Sequence, residues 1–361
     1  MTKYKLGEII ELNPRESIKK GNITRKIAMD DLGEFKRDIE SYSYSEYKGG
    51  TKFRNYDTLM ARITPCLENG KTSFVNILEE NEVAFGSTEY FVFRAKQDII
   101  NPYYLYYLVT TDKFREVAIK SMSGTSGRQR VQKDQILDFS VDLPSLEDQE
   151  KIMKPLKLID DKISLNTKLN TNLLQLSQIM FKNKFPNVND GPDKIGAYIR
   201  NYDKDRKPLS KKQRSKMPGK YRYIGATSVN DYIAKYNFDG IYLLLGEDGT
   251  VQDINGYPVL QYIHGKFWPN NHAHVLQGNK VSTEWLYLFF LQRNIEGIIT
   301  GAVQKKISQK NLNSLSVTMP NNEELSKFDN IIQPIFEQIR TLEEENERLL
   351  EIKKELLTNL F

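Results

Sequence analysis

Three histidines are the side chains that could most readily hold a metal or move a proton. His264, His272 and His274 are the only histidines in the 361 residues. The spacing of His272 and His274 would place both on one face of a strand. Two imidazoles without carboxylate or thiolate neighbours make a poor metal site, and Cys66 is the single cysteine. We therefore expect neither a metal site nor a disulfide framework.

Two adjacent carboxylates, Glu247 and Asp248 in the string LLGEDG, could form an acid–base pair or belong to a nuclease. Successive residues of a strand point to opposite faces, however, and no Glu-x-Lys follows at the spacing of a nuclease. We interpret the two carboxylates as turn residues or as acceptors for the amino group of a cytosine.

The string NPYY, which begins at Asn101, is similar to the Asn/Asp-Pro-Pro-Tyr/Phe motif with which adenine methyltransferases hold a flipped base. Here the second proline is missing, and one helix is predicted over residues 101–120, beginning at the string. Ser282 begins the string STEW at the comparable place of the second half, where a helix is predicted over residues 282–299. We interpret both strings as helix caps followed by buried aromatic residues. A methyltransferase would also need a glycine-rich strand–turn–helix for S-adenosylmethionine, and the sequence shows none.

A glycine-rich string, SGTSGRQ at Ser123–Gln129, lacks the Gly-Lys-Ser/Thr ending of a phosphate-binding loop. A similar string, TGAVQKK, occurs at Thr300–Lys306. Both place basic and amide side chains after a flexible turn, which suits contact with DNA but would also be ordinary in a polar loop. Because both halves of the chain carry the string at the same place, we favour DNA contact.

Charge is distributed unevenly along the chain, whose net charge is +5. Residues 200–222 contain ten basic and two acidic residues, whereas residues 321–361 contain five basic and ten acidic residues. The basic block is either a solvated loop or a surface that neutralises phosphates. The sequence shows no run of about 18 apolar residues and no signal peptide, so we expect a cytoplasmic protein without membrane contact.

The elements that must position these side chains occur twice. VDLPSLEDQEKI begins at Val141 and VTMPNNEELSKF begins at Val317, and this alignment extends in both directions without a gap. Repeat and length together predict two strand-rich units, each followed by a long helix. The predicted segments are a first domain at 1–144, a central helix at 145–185, a second domain at 186–320 and a C-terminal helix at 321–361.

Both long helices begin with a capping pattern, Ser145 with Asp148 and Asn321 with Glu324. Their apolar residues recur every three or four positions, which predicts that the two helices bury a common heptad seam. Asparagines near the middle of the seam either fix its register or are merely polar residues near a helix surface. The predicted seam consists of Leu156, Ile159, Ile163, Asn166, Asn170, Leu173, Ile332, Ile335, Ile339, Leu342, Asn346, Leu349 and Leu356.

The repeat, the C-terminal helix and the strings FSVDLPSLEDQEKI, YRYIGATSVNDYI and KFWPNNHAHVL resemble the DNA specificity subunit of type I restriction-modification systems. The resemblance spans the entire chain. It implies an α+β fold with two target recognition domains of mixed α/β structure. Two long antiparallel helices would separate them as a coiled coil, and a pseudo-twofold repeat would relate the halves.

The resemblance also implies a function. Each recognition domain would read one half of an asymmetric bipartite DNA site, while the helices set the spacing and dock the methyltransferase subunits. The partners would be double-stranded DNA, two modification (methyltransferase) subunits and restriction (motor nuclease) subunits. The chain itself would be non-catalytic and hold no cofactor, since S-adenosylmethionine, and ATP with Mg, would serve the partner subunits.

Candidate DNA-binding residues follow from their positions in the similar fold, and their types suit base edges and phosphates. In the first domain they are Arg62, Thr64, Lys71, Ser87, Thr88, Glu89, Arg128, Gln129 and Arg130. In the second domain they are Lys211, Lys212, Arg214, Thr227, Glu247, Asp248, Asn270, Asn271, His272, Gln304, Lys305 and Lys306.

Two other functions stay open at this point. An autonomous DNA adenine methyltransferase would itself bind S-adenosylmethionine. A coiled-coil scaffold protein would show DNA affinity without a steep salt dependence or a sequence preference.

Overall fold

Two units divide the chain, and each combines a strand-rich region with one half of each long helix. Unit 1 comprises residues 1–166 and 345–361, and unit 2 comprises residues 167–344. The computed structural model describes residues 2–39, 41–125, 127–301 and 304–361.

Unit 1 contains ten strands among its described residues. They are β1 (Thr2–Lys5), β2 (Ile10–Leu12), β3 (Ile23–Ile27), β4 (Ser43–Glu46), β5 (Thr51–Phe53), β6 (Thr58–Ala61), β7 (Thr72–Phe74), β8 (Ala84–Gly86), β9 (Tyr90–Ala95) and β10 (Ser140–Leu143). The helices that begin in unit 1 are α1 (Leu6–Ile9), α2 (Pro102–Thr110), α3 (Asp112–Lys120), α4 (Lys133–Leu137) and α5 (Leu146–Lys184). A short 3₁₀ helix spans Met29–Asp31.

The strands of unit 1 form two four-stranded sheets and one two-stranded sheet. The first sheet has the order β2-β9-β6-β7, the second has the order β4-β3-β8-β5, and β1 pairs with β10. All pairs are antiparallel except β3 with β8.

Unit 2 follows the same plan. Its strands are β11 (Asp193–Lys194), β12 (Ile199–Asn201), β13 (Pro218–Ile224), β14 (Val229–Ile233), β15 (Phe238–Asp239), β16 (Tyr242–Gly246), β17 (Leu260–Ile263), β18 (Lys266–Pro269), β19 (Ala273–Gly278) and β20 (Ser316–Val317). Its helices are α6 (Lys211–Arg214), α7 (Thr283–Leu291), α8 (Gln309–Asn313) and the beginning of α9 (Asn322–Leu360). Three 3₁₀ helices span Ile195–Tyr198, Asp203–Asp205 and Glu296–Ile298.

The sheet orders of unit 2 match those of unit 1 strand for strand. They are β12-β19-β16-β17 and β14-β13-β18-β15, with β11 paired to β20 and with β13 parallel to β18. The internal repeat predicted from the sequence is therefore confirmed, and the matching registers of β6 with β9 and of β16 with β19 assign equivalent positions along these strands.

The central strand of each unit is buried on both faces, and its side chains alternate between two cores. In β9, Phe91 and Phe93 pack in one apolar cluster and Tyr90 and Val92 in another. This follows from the two-residue period of a strand. Burial on both faces explains why the string YFVFRA is apolar almost throughout.

The two long helices are confirmed, and both begin with the predicted caps. The amide of Asp148 donates to Ser145 Oγ at 3.2 Å, and the amide of Glu324 donates to Asn321 Oδ1 at 2.9 Å. Helices α5 and α9 contain 39 residues each, and their contacts within each unit are antiparallel. Both helices continue through a proline, at Pro155 and Pro334.

The single helix predicted for residues 101–120 is wrong, because the chain breaks it at Thr111. That residue ends α2 and caps α3, since its Oγ accepts from the amide of Phe114 at 3.3 Å. In unit 2 the predicted helix 282–299 is also too long, because α7 ends at Leu291. The interpretation of NPYY and STEW as caps is confirmed. Asn101 Oδ1 accepts from Tyr103, and Ser282 Oγ accepts from Trp285.

Candidate nucleic-acid interface

Three segments of unit 1 meet beyond the end of β6, and we call them loop cluster 1: residues 62–64, 87–89 and 128–130. The amide of Arg62 donates to the carbonyl of Glu89 at 2.9 Å. The amide of Thr64 donates to the carbonyl of Gln129 at 3.0 Å, and the amide of Val131 donates to the carbonyl of Arg62 at 2.9 Å. Candidate residues far apart in the sequence thus lie together.

The side chains of loop cluster 1 are organised by one carboxylate between two guanidinium groups. Arg130 donates to both oxygens of Glu89 at 2.6–3.0 Å, and Arg62 Nε donates to Glu89 Oε2 at 3.3 Å. Hydrogen bonds from Arg130, and then from Arg62, hold the pKa of Glu89 below its ordinary value, although partial burial opposes them. The carboxylate is therefore ionised at neutral pH, and the net charge of this trio is positive.

The remaining candidates of unit 1 differ in how free their side chains are. Thr88 and Arg128 are exposed, whereas Thr64 is half-buried. Ser87 Oγ accepts from the amide of Glu89 at 3.1 Å. Lys71 donates from Nζ to the carbonyl of Met29 at 2.9 Å, so it is already engaged within the protein.

The equivalent segments of unit 2 meet in the same way, and we call them loop cluster 2: residues 247–248, 270–272 and 304–306. The amide of Glu247 donates to the carbonyl of His272 at 2.8 Å, and the amide of Ile307 donates to that of Glu247 at 2.8 Å. Because β6 pairs with β9 as β16 pairs with β19, Arg62 corresponds to Glu247 and Glu89 corresponds to His272.

The third pair of equivalent positions is Arg130 and Lys306. Each forms an isolated antiparallel β-bridge to a residue six or seven positions earlier, Arg130 with Ser123 and Lys306 with Thr300. The predicted string 300–306 includes residues 302 and 303, which lie outside the described residues, while Gln304, Lys305 and Lys306 are exposed. Three equivalent positions therefore carry Arg, Glu and Arg in unit 1 but Glu, His and Lys in unit 2.

Loop cluster 2 contains two carboxylates with different neighbours. Glu247 Oε2 accepts from Arg206 Nη1 at 2.7 Å, and Lys306 Nζ lies 3.5 Å from Glu247 Oε1. Asp248 Oδ1 lies 2.5 Å from Nδ1 of the exposed His272. The interpretation of Glu247 and Asp248 as residues of a turn is consistent with these contacts, since β16 ends one residue earlier, at Gly246.

A buried polar group lies beside loop cluster 2. His274 is fully buried, and its Nδ1 lies 2.6 Å from Asp203 Oδ2 while its Nε2 lies 2.8 Å from the carbonyl of Ile307. Burial alone would raise the pKa of Asp203, but hydrogen bonds from His274, from the amide of Val275 and from Asn201 lower it to about 2.

The premise that the histidines lack carboxylate neighbours is therefore wrong. Asp203, Glu247 and His274 offer ligand atoms within 4.8 Å of one another. The guanidinium of Arg206 already contacts Glu247 at 2.7 Å, so the positive charge that these carboxylates require is supplied by the chain. The partners could not be predicted from spacing, because they come from segments 27 and 71 residues before His274.

The basic block 200–222 supplies both exposed and structural side chains. Lys211 and Lys212 of α6 are exposed. Arg214 instead donates to Asp231 Oδ2 at 3.0 Å and to the carbonyl of Leu209 at 2.7 Å, and it lies over the ring of Tyr223. Its guanidinium therefore stabilises unit 2, and the lysines are the freer charges.

The last candidates lie at the turns between strands. Thr227 is exposed between β13 and β14, and Asn271 is exposed between β18 and β19. Asn270 is buried, its amide donates to the carbonyl of Ile224 and its Oδ1 accepts from the amide of His272 at 2.8 Å. Asn270 thus shapes the loop, while its neighbours point to solvent.

The helix seam of unit 1 is polar at its centre. Asn166, only 3% exposed, donates to Asn346 Oδ1 at 2.9 Å and to Glu345 Oε2 at 2.7 Å. Of the two interpretations of the seam asparagines, burial with a partner on the facing helix is the one observed in unit 1. All thirteen predicted seam residues are buried or half-buried.

A second buried contact of this seam was not predicted. Lys353 Nζ donates to Asp160 Oδ1 at 2.7 Å, and the hydroxyl of Tyr107 donates to Asp160 Oδ2 at 2.8 Å. Burial, and then the charge of Asp160, raise the pKa of Tyr107 well above its usual range. The available signal was Lys353 itself, a charged residue at an apolar heptad position.

Arg37 is another buried cation that the sequence did not single out. It is 4% exposed, and it pairs with Asp38 and with Asp161 at 2.8 Å each. This ion pair joins the loop after β3 to α5 within unit 1.

Among the described residues, none of the helices is both long and apolar enough to cross a bilayer.

Similarity to known proteins agrees with this architecture. The family model of the type I restriction modification DNA specificity domain matches residues 1–175 and 199–354. The HindI specificity subunit of a type I restriction enzyme from Haemophilus influenzae is 35% identical over 133 residues, which cover 36% of this chain and 28% of that protein. The MjaIX specificity subunit from Methanocaldococcus jannaschii is 22% identical over 71% of this chain and 67% of its own length.

A solved structure of a type I restriction-modification subunit shares the fold. The S subunit of a type I restriction-modification system from M. genitalium superposes with a TM-score of 0.52 at 16% identity, covering all of this chain and 96% of that one. The matches to the HindI subunit, to a second specificity subunit from H. influenzae and to the EcoAI subunit from Escherichia coli span only 18–29% of those proteins. Since the family model covers most of both units, the chain belongs to the family of type I restriction modification DNA specificity domains.

Proposed function

We propose that the chain is the DNA specificity subunit of a type I restriction-modification complex, and that each unit reads one half of an asymmetric bipartite site. One observation carries the proposal: the two loop clusters share a backbone arrangement but differ at all three equivalent positions. To read two different half-sites, two domains of one fold need the same backbone arrangement with different side chains on it.

The side chains of the clusters suit the major groove. Arginine pairs with guanine through two hydrogen bonds, and a carboxylate accepts from the amino group of cytosine. In unit 1, Arg62, Glu89 and Arg130 offer both chemistries. In unit 2, Glu247, His272 and Lys306 offer a different combination, so the two units would prefer different base pairs.

The exposed lysines of the basic block support backbone contact. Lys211 and Lys212 lie on α6, and Lys204, Lys207, Lys216 and Lys220 are also exposed. Lysines that neutralise phosphates release counterions and add affinity that is independent of sequence. Unit 2 would therefore supply much of the salt-dependent affinity, while both clusters supply the specificity.

The long helices would set the spacing of the half-sites and dock the methyltransferase subunits. In unit 2, α5 exposes Leu169, Leu176 and Ile179, at 44%, 47% and 57%. Their spacing places them on one side of the helix, and an exposed apolar stripe of this kind is suited to packing against a partner helix.

The chain would then be non-catalytic. S-adenosylmethionine would be bound by the methyltransferase subunits, and ATP with Mg would be used by the restriction subunits that join them. Double-stranded DNA and these two kinds of subunit are the proposed partners.

The proposal is tested by mapping methylated adenines across the genome in cells with and without the gene. We expect one bipartite motif, with an unread gap, to lose methylation when the gene is absent and to regain it on complementation. The proposal fails if no bipartite motif changes. Calorimetric binding of S-adenosylmethionine to the isolated chain would instead indicate an autonomous methyltransferase.

A further inference from the structure

Arg206 joins three segments of unit 2 through a single side chain. Its Nη1 lies 2.7 Å from Glu247 Oε2, 2.7 Å from the carbonyl of Ala273 and 3.3 Å from the carbonyl of Asn271. Its Nε donates to the carbonyl of Asp203 at 3.0 Å. One guanidinium thereby ties the 3₁₀ turn at Asp203–Asp205 to two of the three segments of loop cluster 2.

Asp203 and His274 hold the remaining segment. Oδ2 of Asp203 accepts from Gln309 Nε2 at 2.6 Å, and the carbonyl of Ile307 lies 2.8 Å from His274 Nε2. Ile307 directly follows Lys306, so these buried contacts hold the segment that carries the exposed lysine. Oδ1 of Asp203 also accepts from the amide of Val275 at 2.9 Å, which anchors the turn to β19.

We propose that Arg206, Asp203 and His274 are positioning residues that determine the base preference of loop cluster 2 without contacting DNA. The inference rests on the proposed function of the two units. Its physical basis is that direct base recognition needs donors and acceptors held in place before binding, because every side chain that must be ordered on binding reduces the net affinity.

Different contacts hold loop cluster 1. We therefore expect substitutions of Arg206, Asp203 and His274 to affect only the half-site that unit 2 reads. The position equivalent to His274 is Phe91, since Leu245 faces His274 as Met60 faces Phe91. Arg62 lies over the ring of Phe91 at 5.5 Å, and loop cluster 1 is joined at the surface by Glu89. Changing the buried group should therefore alter one half-site only.

The experiment measures equilibrium binding of the full chain, co-expressed with its methyltransferase subunit, to three duplexes. One carries the motif identified by methylation mapping, and each of the other two has one half scrambled. Arg206→Gln should reduce the discrimination against the scrambled half of unit 2 by about 10- to 100-fold, while discrimination against the other half stays within about twofold of wild type. Arg206→Lys keeps the charge but not the forked hydrogen-bonding geometry of the guanidinium. Its discrimination against the scrambled half of unit 2 should lie between that of wild type and that of Arg206→Gln.

His274→Phe introduces the equivalent residue of unit 1 and provides a second variant if Arg206→Gln does not fold. We expect a smaller loss, again confined to the half of unit 2. Arg340→Gln is the matched control, because Arg340 is a half-buried arginine of the same unit that pairs with Glu284 and Tyr262 instead. It should keep both discriminations, with any loss of thermal stability recorded separately.

The inference is overturned if Arg206→Gln and His274→Phe, or His274→Phe alone where Arg206→Gln does not fold, retain full discrimination of both halves. It is equally overturned if both variants weaken the two halves to the same extent, since that indicates general destabilisation. Failure of the wild-type complex to discriminate either half would count against the proposed function instead.

Discussion

The helix seams of the two units occupy equivalent positions but are built from different chemistry. In unit 1, Asp160 and Lys353 form a buried ion pair at 2.7 Å. The repeat places Phe336 and Ser177 at these positions in unit 2, where both are buried, Phe336 in an apolar cluster with Phe328 and Ile332. A large ring and a small hydroxyl thus stand at the positions of two charges, so the repeat keeps the pairing of the helices in the seam but not its polarity.

The loop clusters show the same relation at the surface. Their backbone hydrogen bonds are equivalent, whereas the three side chains differ in type and charge. The alternating apolar residues of β9 and β19 specify the frame, because each strand must fill two cores. The loops beyond the strands carry no such packing requirement, so they can differ between units.

The largest expected effect comes from breaking the charged seam of unit 1. Asp160→Leu leaves Lys353 buried without its carboxylate and should lower the free energy of unfolding by about 4 kcal/mol. The measurement is urea-induced unfolding of the full chain, monitored by amide hydrogen exchange in unit 1. The double variant Asp160→Phe with Lys353→Ser, which copies unit 2, should recover the part of the loss that comes from the unpaired charge of Lys353, although the hydroxyl of Tyr107 still lacks its acceptor. Equal destabilisation by the single and double variants would contradict the equivalence of the two seams.

Two equivalent substitutions, each of which creates a cavity in one unit, should show whether the two units unfold separately. Leu156 and Ile332 are equivalent and both fully buried. Leu156→Ala and Ile332→Ala should each cost about 3 kcal/mol, from lost burial and from the cavity that remains. Hydrogen exchange should accelerate mainly in the unit that carries the change. A uniform acceleration across both units would show that the chain unfolds as one block.

Acid stability should differ between wild type and Asp203→Asn. Because the folded-state pKa of Asp203 is lowered to about 2, its ionised form stabilises unit 2 at pH values above about 4. That contribution, about 2 kcal/mol from the size of the shift, is lost as pH falls from about 4 to about 2. The difference in unfolding free energy between the two proteins should therefore shrink over this range. A difference that stays constant with pH would show that the charge of Asp203 is not what stabilises the fold.

The smallest effect concerns the exposed lysines. Lys212→Gln should weaken binding to all duplexes alike and reduce the slope of log affinity against log salt by about 0.9, because one phosphate contact is lost. Titrations at several salt concentrations, with and without the motif, measure both quantities. Loss of sequence preference in this variant would assign Lys212 to base recognition.

The sequence predicted the elements whose pattern is local. Two capped helices with a heptad stripe, and a repeat of a strand-rich unit followed by a long helix, follow from residue spacing alone. The break at Thr111 was missed although Thr110, Thr111 and Asp112 are weak helix formers, because the segments on both sides of them form helices. The hydrogen bond from the amide of Phe114 to Thr111 Oγ shows the cap. The pairing of Asp160 with Lys353 depends on a residue 193 positions away, so no local pattern contains it.

The candidate site was predicted in the same uneven way. The candidate residues of both loop clusters were taken from their positions in the similar fold, and the structure brings Arg62, Glu89 and Arg130 together. The buried or half-buried residues beside loop cluster 2, which are Arg206, Asp203 and His274, were not predicted as site residues. Arg206 belongs to a basic block that composition assigns to solvent or phosphate, and its partners become visible only once β16, β19 and the turn at Asp203 are assembled.

The most direct test exchanges the equivalent positions. A variant of unit 1 with Arg62→Glu, Glu89→His and Arg130→Lys carries the trio of unit 2, and bound duplexes are selected from a random library with this variant and with wild type. We predict that one half of the enriched bipartite motif changes while the other half and the gap are retained. Retention of both halves, or loss of both, would contradict the conclusion that each unit reads its own half through these three positions.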